Sequence, residues 1–136
     1  MPTHRLAAFL LLAFAMAAPV GAQLGSDEPP AKLLFWHREG DRIIVANIRF
    51  SRTDELTLSG REKIDEIRSS NAVLVLATNR RFLAYSVFTA SWQTVDRRAG
   101  EQLEVLETAD YAGYVLTSRR VLNFNGRTAV WSERNR

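Results

Sequence analysis

Few residues of this 136-residue chain are suited to chemistry at a reacting centre. There is no Cys, and the only histidines are His4 and His37. An imidazole can act as a general base, but His37 sits beside Trp36 at the end of the apolar run LLFWH, with no nucleophile motif in the chain for it to serve. It reads as a strand-end His packed among aromatics. One usable imidazole and no thiolate do not make a ligand set for zinc or a redox metal, so neither metal nor cofactor is expected. Carboxylates are more plentiful: Asp54, Glu55, Glu62, Asp65, Glu66, Glu101, Glu104, Glu107 and Asp110. A pair held a few ångströms apart in a cleft can hydrolyse a glycosidic bond. These, however, fall in polar turns and outer elements, where solvation and pairing with Arg are the ordinary roles. No catalytic residue is assigned.

The arginines carry a sharper pattern. Arg80-Arg81 and Arg119-Arg120 are basic pairs at equivalent sites, and Arg42 occupies the corresponding site upstream. If these sites are hairpin turns, their guanidinium groups emerge along one edge as a basic rim suited to carboxylates, phosphates or sulfated glycans, which guanidinium binds through two parallel hydrogen bonds. The plainer reading is that they solubilise turns and pair with nearby carboxylates. Trp92 and Trp131, also equivalent, suit either carbohydrate stacking or, as repeated aromatics, the packing between units.

The elements that position these residues lie in one modest domain. The chain opens with His4 and Arg5, an apolar stretch from 6 to about 18 and the small-residue end PVGA, which together read as a signal peptide over residues 1–22, cleaved after Ala22. The apolar stretch is shorter than the roughly 20 residues that span a bilayer. An exported protein, periplasmic or secreted, is expected. Residues 23–31, QLGSDEPPA, read as a flexible leader, and residues 32–136 as a single domain. Without Cys, that domain is held by burial or by a partner and not by disulfides. The net charge is +3, and Lys32 and Lys63 are the only lysines. Nucleic acid is not an expected partner for an exported chain.

The stretch VLATNRRFLAYSVFTASW from Val75 is echoed by VLTSRRVLNFNGRTAVW from Val115. Thr78 and Thr117, Arg81 and Arg120, Leu83 and Leu122, and Trp92 and Trp131 all differ by 39, and upstream Glu62 pairs with Glu101 in the same register. Such periods mark repeats whose units cannot bury their own apolar surface. Three units follow: a degenerate one to about residue 60, one over 61–99 and one over 100–136. Each parses as strand a (LLFWH, VLVLAT, GYVLT), a tight turn at Gly40, Asn79 or Ser118, strand b (RIIVANI, RFLAYSV, RVLNFN) and a strand c ending on the Trp in the second and third units. Strand a is apolar on both faces, as in a strand covered above and below. In strand b, Leu83 with Tyr85, and Leu122 with Phe124, share one face and form the repeat core with Trp92 and Trp131. The fourth element, REKIDEI and GEQLEVLE, is read as an outer strand; its apolar spacing of three and the Ser59-Glu62 pair also fit a short capped helix.

The series LATNRRFLAYS, a strand with Trp92, GEQLE and YVLTSRRVLNF resembles successive blades of a β-propeller, in which four antiparallel strands recur about every 40 residues. The resemblance implies an all-β fold of three tandem blade-like repeats, a partial propeller. A propeller closes with four or more blades, so it also implies self-association, for example two chains completing six blades, or docking on a partner protein. A β-trefoil, which also has three repeats, and a pleckstrin-homology-like barrel are the alternative folds; the trefoil's glutamine-x-tryptophan motif is absent. The functional expectation is an exported, non-enzymatic β-repeat module binding a partner protein or an anionic envelope component such as a glycan or lipid headgroup. A glycan-acting hydrolase with a carboxylate pair, and a structural subunit of an envelope assembly, are the alternatives.

Overall fold

The computed structural model describes residues 31–136; the expected signal peptide, and the leader apart from Ala31, lie outside the described residues. The described chain folds into eleven strands: β1 (Leu34–Glu39), β2 (Arg42–Asn47), β3 (Arg52–Thr57), β4 (Ile64–Ser69), β5 (Val73–Thr78), β6 (Arg81–Ser86), β7 (Ser91–Asp96), β8 (Leu103–Ala109), β9 (Ala112–Thr117), β10 (Arg120–Asn125) and β11 (Val130–Asn135). They form three separate antiparallel sheets in chain order, β1-β2-β3, β4-β5-β6-β7 and β8-β9-β10-β11, here sheets 1, 2 and 3. The breaks between sheets fall where the repeat units were expected to meet. A trefoil or pleckstrin-homology barrel would hydrogen-bond its strands into a closed surface; these sheets are open, and the blade-like reading holds.

Sheet 2 is the middle layer. One of its faces (Leu74, Leu76, Leu83, Tyr85) packs with Leu34, Ile43 and Val45 of sheet 1. The opposite face (Val73, Val75, Ala77, Phe82, Ala84) packs with Val115, Leu122 and Phe124 of sheet 3. Period-2 alternation sorts the residues, and fully burying one side chain the size of Phe82 is worth about 2 kcal/mol. All six residues of β5 are buried. Strands β1 and β9 are not buried on both faces as expected: β9 alternates and β1 alternates before becoming exposed from His37 onward, because among the described residues sheets 1 and 3 each have a neighbour on one face alone.

Two sequence expectations need correction. The fourth element is a strand, as favoured, yet it is not the outer one: β4 and β8 pair with β5 and β9, and the backbones of sheets 2 and 3 come closest at β4, β5 and β8, while β7 and β11 lie further apart and are bridged by side chains. The Ser59-Glu62 turn does form, with the Glu62 carboxylate accepting from the Ser59 N–H at 3.2 Å, but β-branched Ile64 then opens a strand. The two tryptophans also begin strand c instead of ending it, at the second position of β7 and of β11. The run after Ser86 is a four-residue turn, repeated at each b-c junction, with a left-handed residue at Ser51 (φ 50°), Ala90 (φ 48°) and Ala129 (φ 53°). Glycine marks a different need at residue 113: a Cβ there would lie 2.6 Å from a methyl of Val75, so sheets 2 and 3 approach at a distance that only Gly permits.

Candidate anion-binding edge

The three a-b hairpins turn at Gly40-Asp41, Asn79-Arg80 and Ser118-Arg119. In sheet 2, Thr78 Oγ1 accepts the N–H groups of Arg80 (3.2 Å) and Arg81 (3.0 Å) and closes the turn. Thr117 does the same for Arg119 and Arg120, both at 3.1 Å. The threonine therefore recurs because it caps the hairpin, a local competition with the ladder that Thr is suited to win.

Beside each cap sits a buried acid. Arg81 donates from Nε and Nη2 to the two oxygens of Glu62 at 2.8 and 2.9 Å, and Thr78 Oγ1 donates to the same carboxylate at 2.7 Å. The Glu62 side chain is 1% exposed. The Arg81 hydrogen bonds outweigh the cost of burial and hold its carboxyl at a pKa of about 2, and the Arg81 pKa rises in return. In sheet 3, Arg120 Nε bonds Glu101 at 3.1 and 3.2 Å, Nη1 bonds Glu133 at 2.6 Å, and Nη2 crosses to the Asp96 carbonyl of sheet 2 at 2.7 Å. A second repeated clamp lies alongside. β4 and β8 each carry a bulge whose unpaired residue is an acid, Asp65 and Glu104, and these bond Arg97 at 2.6 Å and Arg136 at 2.7 Å. A bulge re-aims one side chain, here onto the arginine that follows strand c.

This fixes the part each rim residue plays. Arg81 and Arg120 are internal clamps, neutralised by their own sheets. Arg42 pairs with Glu39 and Glu55 at 2.9 and 3.4 Å in sheet 1. Arg80 and Arg119 are exposed, and neither guanidinium has an acidic partner among the described residues. Arg80 lines an open cleft of about 600 Å³ between sheets 2 and 3, with Arg97, Arg98 and Gln102 and with two acids, Asp65 and Glu101, that are already paired with Arg97 and Arg120. A Cβ on Gly100, in the same cleft wall, would lie 3.5 Å from Nη2 of Arg119. Two uncompensated guanidiniums beside a cleft can take a carboxylate, phosphate or sulfate.

The other chemistry-bearing residues are scattered. His37 is exposed, with Nε2 3.0 Å from Glu39, not packed among aromatics as expected, because it faces away from sheet 2. Glu66 pairs with Arg68 at 2.8 Å. Among the described residues no three His, Cys, Asp or Glu side chains are grouped as a metal site. Leu83, Tyr85, Leu122 and Phe124 are buried as the repeat core. Trp92 and Trp131 are half-buried and tilt against Tyr85 and Phe124, with ring centroids 5.3 and 5.2 Å apart. Trp131 Nε1 donates to the Gln93 carbonyl of sheet 2 at 3.2 Å, so this Trp also ties two units together.

Sequence reasoning passed over one repeated position, the last residue of strand b: Asn47, Ser86 and Asn125. Asn47 Nδ2 donates to the Val87 carbonyl (3.0 Å) and to the Tyr85 hydroxyl (2.9 Å), and that hydroxyl donates to Asp54. Ser86 Oγ donates to the Gly126 carbonyl. The signal was present, a small polar residue recurring at 39, but it was hidden by the three residue types not being identical. Burial and the Asp54 hydrogen bond together push the Tyr85 hydroxyl up to about 12.

Fold and edge together define an all-β protein of tandem antiparallel sheets with an arginine-bearing cleft. No protein-family model and no curated protein matches the chain. Among solved structures it is similar to the N-terminal domain of Nup159, at 12% identity over 76% of this chain and 31% of that one, with a TM-score of 0.42. It is also similar to the extracellular domain of the one-component system BT4673 from B. thetaiotaomicron, at 12% identity over 79% of this chain and 16% of that one, with a TM-score of 0.44. The chain thus spans less than a third of the length of each. No helix among the described residues is long and apolar enough to cross a membrane.

Proposed function

We propose that the chain is an exported, non-enzymatic β-repeat module that binds an anionic group of a partner protein or envelope component at the a-b hairpin edge. One observation carries the reading. Of the five arginines along that edge, Arg42, Arg81 and Arg120 are neutralised within their own sheets, while Arg80, in the cleft wall, and Arg119, next to Gly100 of that wall, have no acidic partner among the described residues.

The test is binding of the purified protein to heparin, as a sulfated glycan, and to vesicles containing anionic lipid. Each arginine beside an anionic surface is worth about 1 kcal/mol, so Arg80→Ala with Arg119→Ala should weaken binding by roughly 30-fold. Arg42→Ala should leave it within about twofold, and salt should weaken it throughout. Equal binding by the double variant and the wild type would defeat the proposal.

A further inference from the structure

Each sheet meets its successor through the same positions, so the stack has a direction. Sheet 1 presents Leu34, Ile43 and Val45 to sheet 2, and sheet 2 presents their repeat equivalents Val73, Phe82 and Ala84 to sheet 3. At the equivalent positions sheet 3 carries Ala112, Val121 and the polar Asn123, with Tyr114 and Leu116 on the same face, all part-exposed or exposed, and two open depressions of about 570 and 170 Å³ lie on that sheet around Ala112 and Asn123. At the other end, sheet 1 turns Phe35, Ile44 and Ala46 outward, at the positions where sheet 2 buries Leu74, Leu83 and Tyr85. Among the described residues the exposed large apolar ones, Phe35, Ile48, Phe50 and Val130, all lie on these two terminal sheets or in their turns.

Hydrogen bonds repeat the same direction. The residue ending strand b donates from its side chain to a carbonyl in the turn of the next sheet: Asn47 to Val87, Ser86 to Gly126. The series leaves one donor and one acceptor over. Asn125 Oδ1 accepts the Arg127 N–H at 3.0 Å, as Asn47 Oδ1 accepts that of Phe50 at 3.2 Å, but Asn125 Nδ2 has no acceptor among the described residues. The carbonyl equivalent to those of Val87 and Gly126 belongs to Ile48, whose N–H is held by the Leu33 carbonyl at 2.9 Å just as Val87 and Gly126 are held by those of Ala72 and Tyr111. Among the described residues the Ile48 carbonyl accepts only a long 3.4 Å contact from the Ser51 N–H.

We infer that a second copy of this chain covers the open face of sheet 3. Sheet 1 of the partner docks there as a fourth sheet, and Asn125 of each copy donates to the Ile48 carbonyl of the other. A head-to-tail contact either closes a ring or grows a filament. Closed rings of such sheets hold four to eight, and with three sheets per chain two copies give a number in that range, so the assembly is a ring of two chains with two identical contacts. This surface lies away from the Arg80 cleft and is independent of it.

The test is sedimentation of the purified protein across a hundredfold concentration range, together with engineered crosslinking. Wild type should sediment as a concentration-dependent dimer. Asn125→Asp retains the acceptor for Arg127 but removes the donor, and should weaken the dimer at least tenfold. Since the chain has no Cys, Ile48→Cys combined with Asn125→Cys should give a covalent dimer on mild oxidation, whereas Asn125→Cys alone should give none. Three results overturn the proposal: a wild-type monomer throughout the range, a ladder of trimers and longer species, or crosslinking of Asn125→Cys to itself, which would mean a face-to-face contact.

Discussion

Replacing Glu62 by Gln tests whether the repeated Glu-Arg pair is an internal clamp. In the wild type the carboxylate receives hydrogen bonds from Arg81 Nε and Nη2, Thr78 Oγ1 and the Ser59 N–H. Together they lower its pKa from 4.5 to about 2. A depressed carboxyl contributes stability that is complete above its unfolded pKa and disappears as pH falls through the folded value. A shift of that size corresponds to about 3 kcal/mol at neutral pH, of which roughly half is gone at pH 3 and nearly all below pH 2. Glu62→Gln removes the charge and leaves the Arg81 guanidinium, itself 26% exposed, without its counter-ion. Breaking one side of a buried pair costs about 3–5 kcal/mol, and the partial exposure of Arg81 brings the expectation down to about 3. Urea unfolding followed by tryptophan fluorescence should show that loss at pH 7, with the variant and wild type converging toward pH 2–3. A difference under about 1 kcal/mol at pH 7, or one that stays constant down to pH 3, would refute the clamp.

Tyr85 titrates in the opposite sense. Its raised pKa of about 12 means that its contribution is intact below pH 10 and is lost as pH climbs from 10 toward 12, and spectrophotometric titration of wild type against Tyr85→Phe should isolate one late phenol. That substitution should also cost about 1–2 kcal/mol, by leaving Asp54 and Asn47 without the hydroxyl they share. Gly113→Ala should destabilise by about 1–3 kcal/mol because its methyl would collide with Val75, visible as a lower thermal midpoint. Ala90→Gly relieves a left-handed alanine and should raise the midpoint, by up to about 1 kcal/mol in stability; a fall would mean that the alanine methyl matters more than the backbone conformation.

The all-β class, the three units and their boundaries were legible because a period of 39 survives in residue types that bear on hairpins and cores. Alternation put Leu83 and Tyr85 on one face, and Leu122 and Phe124 on one face, and the fold keeps both pairs buried. The sequence was less informative about what a repeated polar residue is for. Arg80 and Arg81 look identical as letters, yet one is a turn residue and the other begins a strand whose pleat points it at Glu62. The clue was Glu62 recurring at Glu101 in step with Arg81 and Arg120, a joint recurrence that predicts an ion pair. The edge strands β4 and β8 resisted assignment because a bulge at Asp65 and Glu104 breaks the period of two and imitates the spacing of a helix. Which edge of a sheet lies innermost depends on inter-sheet contacts, and no local pattern encodes those.

The burial of β5 on both faces also bears on solubility. Residues 73–77, VLVLA, combine strong β propensity with no charge and no proline, the composition of segments that stack into cross-β fibrils. In the native chain, sheet 1 shields Leu74 and Leu76 and sheet 3 shields Val73 and Val75. The two flanking sheets therefore act as a built-in guard over an amyloid-prone strand. A variant that sheds either of them should be lost to aggregation before its unfolding can be measured.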